Sequence, residues 1–351
     1  MGFLVSLLVF SFLIFFHELG HYLAARFFGV RVEVFSIGFG KKVISKKIGD
    51  TQWSLSLIPL GGYIQMKGQD DSDPIKVSYD DDSYGVKTPW QRIVISLAGP
   101  MANFILAFLL YLSIASIGVP KLLSIVGDIN NSNPAYLAGM RAGDTIRTIN
   151  GKEIYYWEDI TSNIKQEATP IDITVIREGE YIDFNITPKE ETLFNRFGEK
   201  VERYIIGILP DMNAIESVNF GLVGGVDYAY KQTKMASTYI LQSVKKLISG
   251  LIPMENLGGV IGIVDTTAKV SHMGIIALLS FMALISVNLG VLNLLPIPAL
   301  DGGHIMFNLY EMITNKKPNE EVMYKLTLIG WALLLTLMLL GVYNDINRLL
   351  G

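Results

Sequence analysis

The chain has 351 residues and no cysteine. Without thiols there is neither a disulfide framework nor a thiolate metal site, so any bound cation falls to His, Asp and Glu side chains. Histidine is scarce too, at four. An excess of one charge is also missing: 29 Lys and Arg face 33 Asp and Glu, for a net charge of −4. No basic field exists to gather nucleic acid, and nucleic acid is excluded as a partner. Charge is sparse altogether, at 18% of residues, while 50% are hydrophobic. That balance is too apolar for a soluble enzyme of this size and reads as a protein of the lipid bilayer.

A helix needs about 20 apolar residues to cross the hydrocarbon. Four stretches supply them, at 2–28, 93–119, 273–300 and 326–343. The first lacks the basic start and small-residue cleavage site of a signal peptide, so it is expected to be retained as a span. Between the first two spans lie Arg31, Lys41, Lys42, Lys46, Lys47, Lys67, Lys76 and Lys87, whereas nothing basic precedes the first. The positive-inside rule places this loop in the cytoplasm. Alternating spans then put both termini and the segment 120–272 outside.

Inside the first span sits His17-Glu18-Leu19-Gly20-His21. Ionisable groups at bilayer depth are costly and mark function. His at i and i+4 shares one helical face, where both rings can ligate one Zn²⁺ with the Glu beside them as general base. A catalytic zinc commonly keeps three protein ligands and an open position, so a third donor is needed. The best remaining one is Asp301, at the end of the apolar run that begins at Asn293, and the topology returns it to the face of the His pair. His304, three residues on, is the rival donor.

The segment 32–66 alternates in short runs broken by glycines and reads as a small β-sheet beside the membrane. Asp70, Asp71, Asp73, Asp80, Asp81 and Asp82 lack the spacing of a calcium loop and read as a solvated turn. Past the second span, Ile171, Ile173 and Val175 alternate, turn at Arg177-Glu178-Gly179-Glu180, and alternate back through Ile182, Phe184 and Ile186. With Leu137 through Ile146 before it, this pattern resembles a PDZ domain of the protease-associated kind, which would bind a peptide by strand addition or act as a steric filter. From 220 to 253, apolar residues at helical spacing among lysines read as an interfacial helix.

Taken in order, His17 to His21, Pro59-Leu60-Gly61-Gly62-Tyr63, Ala98-Gly99-Pro100-Met101-Ala102-Asn103, the PDZ-like module, Asn256 to Gly262, and Asn293 to Gly303 resemble the site-2 protease family of intramembrane zinc metalloproteases, bacterial RseP-type, here with a single PDZ domain. The resemblance implies Zn²⁺ held by His17, His21 and Asp301, Glu18 as general base, and Asn293 gripping the substrate backbone. It further implies that Gly38, Phe39 and Gly40 receive the unwound substrate. The expected fold is a multi-pass α-helical membrane protein of four spans, with a small membrane-associated β-sheet and an extracytoplasmic PDZ-like α+β domain.

The domains expected are residues 1–28, the first span with the motif; 29–90, the cytoplasmic β-region; 91–119, the second span; 120–190, the PDZ-like domain; 191–272, linker and interfacial helix; 273–303, the third span with Leu-Asp-Gly; 304–325, a cytoplasmic loop; and 326–351, the fourth span and tail. The expected activity is hydrolysis of peptide bonds in or near the transmembrane segment of single-span proteins, such as anti-sigma factors or signal-peptide remnants. The expected location is the bacterial inner membrane. A zinc or proton transporter is the rival from another class, but it would show internal repeats and a continuous polar pathway. A PDZ-bearing scaffold would need no Glu18.

Overall fold

In a computed structural model the residues described are 2–69, 78–164, 167–195 and 197–350. The apolar start of the chain forms helix α1 (Gly2–Phe27). It stops where Gly29 turns left-handed at φ 70°, with Gly29 N–H donating to Arg26 O and Val30 N–H to Ala25 O. This closure satisfies the last carbonyls and lets Val30 fold back into the core.

Strands β1 (Val32–Ile48) and β2 (Thr51–Met66) form one antiparallel sheet. Residues 34–37 of β1 have β2 on both sides, paired to 52–55 and to 62–65. The half of β1 nearest α1 is buried, and from Phe39 onward it is mostly exposed. Its anchor is aromatic: Phe35 stacks on Trp53 at 4.4 Å and meets Phe15 and Tyr22 of α1 at 5.7 and 5.9 Å. Positions 15, 18 and 22 share a helical face, so the sheet packs on the side of α1 that carries Glu18.

Beyond β2, Lys67 holds Asp80 at 2.8 Å and Asp82 at 2.6 Å. Asp70, Asp71 and Asp73 lie outside the described residues. Hydrogen bonding to the Lys67 ammonium keeps both carboxyls below their ordinary value of 3.8 and raises the lysine. A carboxylate depressed in the folded state stabilises above its unfolded value and loses that contribution as pH falls. Protection of the amides in 78–87, taken as exchange relative to the intrinsic rate at each pH, is therefore expected to fall in acid below the ordinary carboxylate value, and unchanged protection would refute the clasp.

Helix α2 (Pro89–Ile117) follows. The chain divides into two compact units, 1–114 with 222–351, and 115–221. In the second, β3 (Val119–Leu122), β4 (Val126–Ile129), α3 (Pro134–Leu137), β5 (Thr145–Ile149), β6 (Lys152–Glu153), α4 (Trp157–Asn163), β7 (Ile171–Arg177), β8 (Glu180–Ile186), β9 (Lys189–Phe194), β10 (Lys200–Ile205), β11 (Ile208–Pro210) and β12 (Ile215–Val218) succeed one another. The four-stranded sheet runs β6-β5-β7-β8, with the alternating Ile171, Ile173 and Val175 buried on one face beside Ile146, Ile149 and Ile186. Asp144 is fully buried and paired with Arg177 at 2.7 Å.

The module expected over 120–190 extends further. β11 returns to β4 and β12 to β3, so residues that read as linker close the unit up to 221. Strands this short carry little periodicity, and their partners lie some ninety residues earlier.

In the first unit, α5 (Gly221–Ile248), α6 (Val260–His272), α7 (Ile275–Asn293), α8 (Asp301–Thr314) and α9 (Glu320–Leu350) complete the chain. Among the described residues four helices are long and apolar enough to cross a membrane: α1, α2, α7 and α9. The third span ends earlier than its apolar run, at Asn293, because Pro296 and Pro298 cannot donate to a helix and disfavour helical backbone before them. Asp301 opens a new helix instead of closing the third span, and 304–325 contains most of that helix and not only a loop. An acid in the first turn suits the positive end of the helix dipole.

Candidate metal centre

His17 and His21 lie four residues apart in α1, and their Nε2 atoms stand 3.3 Å from each other. The turn after α7 brings the first residue of α8 to them. Asp301 Oδ2 lies 3.3 Å from His17 Nε2, and Oδ1 lies 3.3 Å from His21 Nε2. Among the described residues these three form the group of His, Asp and Glu side chains that could hold one metal ion, their donor atoms all within 4.8 Å.

The spacing fits zinc. Ligands bound to Zn²⁺ at about 2.0–2.1 Å in a tetrahedral shell stand about 3.3 Å apart. Two imidazoles and a carboxylate leave a fourth position open, as catalytic rather than structural zinc sites do.

Neighbouring elements set the rings. His21 Nδ1 is 2.8 Å from Ile95 O of α2, and Asn103 Nδ2 of the same helix is 3.0 Å from His17 Nδ1. Close approach of α2 requires Gly99, where a Cβ would fall 2.1 Å from His21 Nε2. Gly302 is tucked under the preceding turn, where a Cβ would meet Leu295 O at 2.1 Å, and this holds the start of α8 against the end of α7.

Glu18 is buried at 8% exposure on the sheet-facing side of α1, next in sequence to His17. Asn293, the last residue of α7, places Nδ2 3.4 Å from His17 Nε2. Gly38 and Gly40 of β1 adopt φ of 91° and 84° where the pairing register breaks, and Phe39 between them is 45% exposed, its ring parallel to Tyr63. His304 stays outside the metal-capable group. It lines a cavity of about 180 Å³ with Tyr84, Arg92, Asn308 and Glu311, beside the Arg92–Glu311 ion pair at 2.7 Å.

Asn103 is the site residue that residue-by-residue reading leaves unassigned. It is fully buried, and the signal for it was an amide inside a span.

The profile of Peptidase family M50 matches residues 5–337. A Campylobacter jejuni protein named "Putative zinc metalloprotease" is 46% identical over 349 residues, covering 99% of this chain and 94% of its own. A Helicobacter pylori protein of the same name is 38% identical over 351 residues, covering 99% and 100%. The Bacillus subtilis "Regulator of sigma-W protease RasP" is 29% identical over 421 residues, covering 98% and 97%. With helices fit to span a bilayer, such matches define an integral membrane zinc metalloprotease. The chain belongs to peptidase family M50, the site-2 proteases.

Proposed function

We propose that His17, His21 and Asp301 hold the zinc of an intramembrane endopeptidase, with Glu18 as its general base. The convergence of their donor atoms from two ends of the chain to within 4.8 Å carries this reading. When bound, zinc supplies Lewis acidity and water that ionises near neutral pH. Glu18, adjoining the ligands, takes the proton of the attacking water and returns it to the leaving amide nitrogen. No covalent nucleophile is needed.

A transmembrane helix hides its amides in internal hydrogen bonds, so the target must unwind locally before attack. The β1–β2 sheet packed on the Glu18 face of α1 supports a role in receiving the unwound strand, at the register break of Gly38, Phe39 and Gly40. Asn293, beside His17 at the end of α7, is assigned to the substrate backbone. Substrates are single-span membrane proteins such as anti-sigma factors, or signal-peptide remnants. The name of the sigma-W regulator from Bacillus subtilis agrees with the first class.

The basic residues around β1 and β2 support a cytoplasmic position for that side at a bacterial inner membrane, with the site opening to it. Residues 115–221 then form an outer PDZ-like domain, and the order β6-β5-β7-β8 with α4 supports this identity. Helix α5, carrying Lys231, Lys234, Lys245 and Lys246 with exposed Leu222, Val226, Tyr230 and Ile248, suits the outer interface.

Purified protein in liposomes should cleave a co-reconstituted single-span reporter. A zinc chelator should abolish cleavage and added Zn²⁺ restore it. Cleavage indifferent to chelation would refute the proposal.

A further inference from the structure

The metal donors use one nitrogen of each imidazole, and the other nitrogen decides whether the first is available. A neutral histidine carries a single ring proton, so a bare Nε2 for the metal requires the proton on Nδ1, held there by an acceptor. His21 has such an acceptor in the backbone: Ile95 O lies 2.8 Å from its Nδ1. For His17 the partner shown at that nitrogen among the described residues is a side chain. Its Nδ1 faces the side-chain amide of Asn103, with Nδ2 at 3.0 Å.

With Nδ2 turned to the ring, the amide donates to Nδ1 and forces the ring proton onto Nε2, the atom that points at Asp301 and His21. That orientation suits an empty site and is wrong for ligation. It also leaves Asn103 Oδ1 buried without a hydrogen-bond partner. The two ends of an amide are nearly equal in shape, so a half-turn about its last torsion exchanges them without moving the helix. Oδ1 then accepts from His17 Nδ1–H and Nε2 is left bare, while Nδ2 takes the buried position that Oδ1 leaves. Asn103 is fully buried, and Ser286 Oγ of α7 donates to its backbone O at 2.8 Å, so the residue is fixed in depth while its amide remains the variable part.

We propose that Asn103 is a positioning residue for the metal centre, its Oδ1 accepting from His17 Nδ1–H and thereby presenting His17 Nε2 to zinc. Outer partners of ligating histidines act in this way in metal sites generally. Helix α2 then orients both imidazoles, one through the Ile95 carbonyl and one through a side chain. This inference rests on the zinc reading above.

The test is zinc affinity of the detergent-purified protein, measured by competition with a chromogenic chelator. Asn103→Leu, which removes the acceptor, should weaken zinc binding by about 10–100-fold. Asn103→Asp, which can accept but not donate, should stay close to wild type. Asn103→Leu with wild-type affinity, or Asn103→Asp as weak as Asn103→Leu, overturns the proposal. Wild type that binds no zinc overturns the metal assignment itself and this inference with it. Should either variant fail to fold, long-range ¹H–¹⁵N spectra of histidine-labelled, zinc-loaded wild type decide: His17 protonated at Nδ1 is expected, and His17 protonated at Nε2 refutes it.

Discussion

Glu18→Gln is expected to bind zinc like the wild type and to lose cleavage of a membrane-spanning reporter by roughly 10²- to 10⁴-fold, the usual contribution of a positioned acid–base group. Glu18 lies on the face of α1 with Phe15 and Tyr22, whose rings contact the β-sheet, whereas His17 and His21 meet the second helix and the start of α8. Substituting Glu18 therefore removes a proton carrier without removing a metal donor. The amide of Gln keeps the volume of the carboxylate and one accepting oxygen, exchanging the other for a donating NH2, so packing at this buried position should survive. Zinc content and cleavage measured on the same preparation separate the two roles. A Glu18→Gln protein that still cleaves would rule out this assignment of the base, and one that loses zinc would place Glu18 among the ligands.

Asp301→Ala is expected to do what Glu18→Gln does not, losing metal and cleavage together. Asp301 supplies the only carboxylate in the metal-capable group found among the described residues, and its two oxygens each lie 3.3 Å from a different imidazole. Removing it leaves two imidazoles, which cannot fill the three protein positions that a catalytic zinc commonly keeps. The loss of affinity should exceed the 10–100-fold typical of an outer partner. The fold should persist, because α8 is held by Gly302 under the turn that precedes it and by the Arg92–Glu311 pair further along. Asp301→Ala with full zinc and undiminished cleavage would remove Asp301 from the centre.

Much of this site was legible from spacing. His17 and His21 had to share a face because four residues make about one helical turn, and no other role explains two imidazoles and a carboxylate inside an apolar run as well. Asp301 followed from topology, since a third span must end on the side where the first ended. Other features were not legible because they depend on contacts between distant segments. The closing strands β11 and β12 are too short to show a period, and only their pairing with β4 and β3 reveals them. Helix α8 was hidden because it opens on Asp301, Gly302 and Gly303, which after Pro296 and Pro298 looked like the end of a span followed by a loop. The pairing of 34–37 in β1 with two parts of β2 leaves no mark in local alternation. Asn103 could be seen as an amide in a span, but its partner is a ring eighty-six residues away.

The unit formed by residues 115–221 has its own core around Ile146, Ile173 and Ile186, and its own ion pair between Asp144 and Arg177. It can therefore be altered independently of the site carried by the other unit.

The proposed centre holds one zinc ion by two imidazoles and one carboxylate drawn from opposite ends of the chain. Zinc-edge X-ray absorption of active, detergent-purified protein tests it most directly. The account predicts one zinc per chain in a shell of nitrogen and oxygen at about 2.0–2.1 Å, with outer scattering from two imidazole rings. Active protein without stoichiometric zinc, or a shell lacking the two-ring signature, would contradict it.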